Sequence, residues 1–167
     1  MDMQDSRQIG ARRAVVWAAL NDPDVLKACI PGCDSIEKTG ENELQARVTL
    51  KIGPVKASFS GKVTLSNIDP PNGYTISGEG QGGAAGHARG GADVRLEEQG
   101  EETILHYTVR AEVGGKIAQL GSRLIDATAK KLAGEFFERF AEVVAPEAEG
   151  DAASDQPQKK WWKFGMG

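Results

Sequence analysis

A chain of 167 residues, 40% hydrophobic and 26% charged, has the composition of one globular domain with some length to spare. Its formal charge of −4 offers no basic footprint for nucleic acid, and it holds no apolar run of the length a membrane-spanning helix needs. The opening "MDMQDSRQ" is too acidic and polar for a signal peptide, so the expected setting is cytoplasmic.

A first strand ahead of Arg12 is weakly signalled. "RRAVVWAALNDPDVLKACIPG" then predicts two short helices, with Val16, Trp17 and Leu20 on one face of the first. Asp22 suits the N-cap of the second, with Pro23 at its first helical position, and Pro31–Gly32 stops it. Cys29 and Cys33 have no matching Cys or His pair, so they read as small thiols beside a turn and not as a zinc site.

The hydrophobic period then drops to two. Leu44, Ala46, Val48, Leu50 and Ile52 alternate with polar residues up to Gly53–Pro54, and Val55, Ala57, Phe59, Val63 and Leu65 resume beyond it. Each of these strands has one wet face and one buried face, as in an antiparallel sheet. "DPPNG" is a turn, Tyr74 and Ile76 open another strand, Ala92, Val94 and Leu96 mark the next, and Leu105 to Val113 close the set. About seven strands are expected.

From Lys116 to about Val144 an apolar stripe recurs every three or four positions through Ile117, Leu120, Leu124, Leu132, Phe136 and Phe140. A helix of roughly 29 residues would be about 43 Å long, enough to lie across a whole sheet. The predicted organisation is therefore a domain over 1–145, a polar acidic linker over 146–158 and a basic, aromatic tail over 159–167. In that tail Lys159, Lys160 and Lys163 surround Trp161, Trp162 and Phe164. Tryptophan favours the membrane–water interface and lysine favours anionic lipid, so the tail is expected to touch a membrane weakly, or to dock on a partner protein.

"GEGQGGAAGHARGG", residues 78 to 91, matches G-x-G-x-x-G at Gly78, Gly80 and Gly83. A dinucleotide loop must open a helix, whereas these glycines lead into "ADVRLEE", an alternating strand. Gly78, Gly80, Gly82, Gly83 and Gly86 read instead as places where a curved sheet bends or another group approaches closely. No catalytic residue stands out. His87 lies in the glycine run, and His106 alternates onto the polar face, neither in a triad-like or metal-like arrangement. The inward positions comprise Phe59, Val63, Tyr74, Ile76, Tyr107 and Val109 on strands, and Leu120, Leu124, Phe136 and Phe140 on the helix. Such a set fits an apolar ligand cavity and a solid core equally.

"VWAALNDPDVLKACIPGC", "LKIGPVKASFSGKVTLSNIDPPNGY", "GEGQGGAAGHARGGADVRL" and "GGKIAQLGSRLIDATAKKLAGEFFERFAE" closely resemble the family of the carbon monoxide dehydrogenase G subunit (CoxG-like). That family belongs to the START-like, Bet v 1-like (SRPBCC) superfamily. The resemblance implies an α+β helix-grip fold: a curved antiparallel sheet around a long C-terminal helix, with two short helices after the first strand and an apolar cavity within. It further implies a non-catalytic accessory to a molybdenum-containing hydroxylase, recruiting that enzyme to the membrane. The protein would then have no cofactor of its own, and a quinone or other lipid is the ligand to name first. A cyclase- or hydrolase-type enzyme using the same cavity, and a pure assembly factor, are the alternatives.

Overall fold

The computed structural model describes residues 1–152, with side chains as far as 145. The order is β1 (Asp2–Ile9), α1 (Arg13–Leu20), α2 (Pro23–Cys29), β2 (Cys33–Gly40), β3 (Glu43–Ile52), β4 (Val55–Asp69), β5 (Gly73–Gln81), β6 (His87–Gln99), β7 (Glu102–Gly114) and α3 (Ser122–Ala152). The strands form one antiparallel sheet in the order β1-β7-β6-β5-β4-β3-β2. The predicted fold class, α+β with seven strands and a long final helix, is the one observed.

Local chemistry sets the joints. The Asp22 carboxylate accepts the Asp24 N–H at 2.9 Å and so caps α2, whose first residue is Pro23. Thr103 Oγ1, fully buried, donates to the Ala11 carbonyl at 2.8 Å and fixes the corner between β1 and α1. The Tyr74 hydroxyl donates to Leu20 O at 3.1 Å and ties the end of α1 to the sheet.

Two boundaries differ from expectation. The long helix begins at Ser122 and not at Lys116, because Gly115 (φ 80°) and Gly121 (φ 96°) enclose a separate 3₁₀ turn over Gly115–Leu120. It also continues to Ala152, past the composition change at Ala145, so the expected linker does not begin where the helix was to end. The remainder of the linker and the tail, Lys159 to Phe164 included, lie outside the described residues.

Apolar side chains on the sheet's inner face pack in two groups. The larger joins Ile9, Val16, Leu20, Cys29, Leu96, Leu105, Phe140 and Val144 beneath α1, α2 and the second half of α3. Aromatic rings stiffen it: Trp17 on Tyr74 at 5.2 Å, Tyr107 on Phe137 at 5.1 Å, and Phe136 on Phe140 at 5.6 Å between centroids. The smaller group has Ile52, Ala85 and Ile117 buried, with half-buried Phe59, Leu120, Leu124 and Ile125 around them. It sits at the other end of the sheet, under the start of α3.

Candidate ligand site

Strand register shows what separates the two groups. Partners in an antiparallel pair point to the same face, so the inward residues can be traced rung by rung. Ala46, Gly61, Gly80 and Ala88 lie side by side across β3, β4, β5 and β6. On the next rung Val63 is succeeded by Gly78, Gly90 and Ala111, and on the third Ala92 stands between Ile76 and Val109. The centre of the inner face is thus floored almost entirely by glycine and alanine. A Cβ added at Gly80 would meet nothing nearer than the Phe59 Cβ at 3.8 Å.

The helix is equally spare above this floor. Its first turns pack into the smaller group through Leu124 and Ile125, and its later turns enter the larger one through Phe136, Phe137 and Phe140. The turns between present Thr128, Ala129, Leu132 and Ala133, all half-buried. Short side chains on both surfaces occupy less volume than leucines would, although of the ten predicted cavity residues only Leu124 lines the adjoining groove. A groove of about 430 Å³ runs beside this stretch, lined by Pro31, Leu50, Gly53, Leu124, Thr128 and Leu132, with Lys51, Lys131 and Glu135 at its rim.

All ten predicted cavity residues belong to this interior, but not in one way. Tyr74, Tyr107 and Phe140 are buried in the larger group, Phe140 completely. Burial also raises the Tyr74 phenol's pKa, which keeps it protonated as the donor to Leu20 O. Ile76, Val109 and Phe136 are half-buried at that group's inner margin, Val63 stands on the glycine rungs, and Phe59, Leu120 and Leu124 belong to the smaller group. The glycines divide as well. Gly78 and Gly80 are floor, whereas a Cβ at Gly82 would fall 2.5 Å from the Phe59 ring, Gly83 opens the 3₁₀ turn Gly83–Ala85 and Gly86 follows it.

Sequence reasoning put Ala46 and Ala92 in the alternating pattern but overlooked Gly61, Ala88 and Gly90, although parity with Val63 on β4 and with Val94 on β6 marks them as inward. It also overlooked Arg7, which shares the inner face with Leu105 and lies 5.4 Å over the Phe137 ring. Both histidines are on the outer face: His87 is exposed at the start of β6, and His106 Nε2 lies 2.8 Å from Glu97 Oε1. That outer face carries a larger trough, about 860 Å³, between Lys62, Glu79, Arg89, Arg110 and Glu112, which Gly78, Gly90 and Ala111 of the floor rungs also line. Its walls pair among themselves and their neighbours, as in Arg89–Glu112 at 2.9 Å and Arg110–Asp93 at 3.7 Å, and it is open and polar. The apolar interior is the better candidate for a small molecule.

Comparison with known proteins assigns the architecture. The model of the family described as the G subunit of carbon monoxide dehydrogenase (CoxG) matches residues 6–145. The chain belongs to the CoxG family. A conserved protein from Geobacillus kaustophilus superposes with a TM-score of 0.84 at 32% identity, over 88% of this CoxG chain and 97% of its own. Ara h 8.0201 matches at 15% identity with a TM-score of 0.62, over 86% of this chain and 97% of its own. The Zhui aromatase/cyclase from Streptomyces sp. R1128 matches at 13% identity with a TM-score of 0.59, over 93% and 97%. The last two show the shared Bet v 1-like helix-grip fold alone. No curated protein matches the sequence. Among the described residues no helix of this CoxG protein is long and apolar enough to cross a membrane.

Proposed function

We propose that this CoxG protein is a non-catalytic accessory that carries an apolar small molecule between its sheet and α3. A quinone or another prenylated lipid is the ligand the chemistry favours: a long apolar body against leucine, valine and phenylalanine, with few polar groups to satisfy. The observation that supports this is the glycine and alanine floor between two packed apolar groups. Gly61 and Gly90 are held to glycine by neighbouring backbone, 2.3 and 2.1 Å from an added Cβ, but Gly80 could carry a larger side chain, and each methylene buried there would contribute about 0.8 kcal/mol.

Family membership supports the setting. The partner is a molybdenum-containing hydroxylase of the carbon monoxide dehydrogenase kind, and its metal, iron–sulfur and flavin groups belong to that partner. The accessory brings the enzyme to the membrane, with Lys159 to Phe164 as a weak tether at the surface.

The test fills the floor. Gly80→Leu places its side chain over the floor without a backbone clash, since the added Cβ is in ordinary contact. Native mass spectrometry of the purified full chain should find a retained lipid or quinone, and an apolar fluorescent probe should bind it. In Gly80→Leu both should be lost, a drop in probe affinity of about tenfold or more, with the fold intact by circular dichroism. Unchanged probe binding in a folded Gly80→Leu variant would sink the carrier reading.

A further inference from the structure

The meander sorts the charged residues to opposite ends. In an antiparallel sheet successive turns alternate between the two ends, so the β3–β4 turn, the β5–β6 turn and the β7–α3 connection share one of them. At 51–56, 81–88 and 113–123 these segments contain Lys51, Lys56, His87, Lys116 and Arg123, and no Asp or Glu. The β2–β3, β4–β5 and β6–β7 turns at the other end carry Glu41, Asp69, Glu98 and Glu101, among other carboxylates. A chain of net charge −4 thus has one basic end. Lys51, Lys56, Lys116 and Arg123 are all exposed, and none is in an ion pair among the described residues.

Two of these placements work against folding. Lys51 and Lys56 are direct cross-strand partners, and like charges in that position repel. Arg123 lies in the first turn of α3, where the helix dipole favours an anion and where no acidic residue is present. A helix this long adds its own partial positive charge at the same end. The repulsion is relieved if something negative covers these groups.

We infer that this basic end is a docking surface for an anionic lipid bilayer. The cations are spread over three segments with no carboxylate between them, which suits a surface of uniform negative charge. Exposed Pro54, Ala84 and Ala118 and half-buried Leu120 stand among the cations, small enough to settle at headgroup level. The groove past Gly53, Leu50 and Leu124 reaches this same end, so docking sets that groove beside the lipid. The contact is separate from the C-terminal tail and provides the second attachment that a weak tether needs. Its purpose, passage of a ligand out of the bilayer, rests on the carrier reading, but the contact itself does not.

Co-sedimentation of the full chain with vesicles tests it, using phosphatidylcholine alone and phosphatidylcholine with phosphatidylglycerol. The protein should pellet with the anionic vesicles only, and less as salt rises. Reversing the end with Lys51→Glu, Lys56→Glu, Lys116→Glu and Arg123→Glu together should weaken anionic-vesicle binding by roughly 100-fold or more. Replacing Lys159, Lys160 and Lys163 by Gln should leave a salt-dependent remainder. If the reversed variant binds as wild type does, or all binding disappears with the tail lysines, the inference is overturned. A softer set, the same four positions changed to Gln, serves if the reversed variant does not fold. Apolar-probe binding, read on the same variants, separates the two ideas. Vesicle binding lost with probe binding kept supports docking, whereas failure of the probe to bind any form removes the carrier reading and leaves the docking result standing.

Discussion

The two ends of one sheet are built for different tasks. At the α1 and α2 end the inward positions are Tyr74, Leu96, Leu105 and Tyr107, closed over by Val16, Phe140 and Val144, and the turns are acidic. Beyond a central floor of glycine and alanine, the apolar residues of the other end are mostly half-buried and its turns are basic. The packed end and the sparer end share one continuous set of strands.

Truncating one phenylalanine at each end breaks or sharpens that contrast. Phe140→Ala, in the fully buried stack with Phe136, should cost about 3–5 kcal/mol. Phe59→Ala, half-buried in the smaller group, should cost less than half as much while changing the affinity for an apolar probe. Urea midpoints at constant m-value measure both. Equal losses would mean that the open end is core after all.

A second contrast is in pH. The Cys29 thiol, inside the packed end, is pushed up from 9.0 to about 11, first by burial, with Arg139 pulling weakly the other way. The folded state therefore keeps the neutral thiol after the unfolded chain has lost its proton. Stability from this group is complete below about pH 9 and is lost between about 9 and 11, at most about 3 kcal/mol at 1.36 kcal/mol per unit. The buried Tyr74 phenol, also raised, acts with the same sign at higher pH. Cys29→Ala should lower stability at neutral pH and flatten its decline between pH 9 and 10. An unchanged slope in that variant would show that the thiol is not desolvated.

How far the sequence alone reveals this molecule depends on where each signal resides. Asp22–Pro23 marks α2, and strict alternation around Gly53–Pro54 marks β3 and β4, because these are local patterns. β1 was faint since its inward residues include Asp5 and Arg7, paired with Tyr107 and Leu105. β2 was not marked by any alternation: its register with β3 is interrupted twice, and Ile36 is the apolar residue facing Ala46 between those shifts. Parity alone brought the candidate cavity residues to one face. Which of them pack and which border open space depends on cross-strand neighbours such as Gly78 and Gly90, far apart in sequence. The basic end is hidden for the same reason, its charges being contributed by three separate turns.

The smallest effect probes the helix above the floor. Gly134 lies in the interior of α3 without a left-handed backbone, and a Cβ added there meets nothing within 4 Å. Glycine in a helix costs about 1 kcal/mol against alanine, chiefly because the unfolded chain is freer, so Gly134→Ala should raise stability by about that amount. A helix that served only to close a core would gain this without consequence. If the space beside Gly134 belongs to the ligand's room, the same methyl should also weaken binding of a bulky apolar probe while sparing a small one. Stabilisation with no change for either probe would confine that room to the Thr128–Leu132 side of α3. A loss of stability would mean that the helix is not as loosely packed there as its small residues indicate.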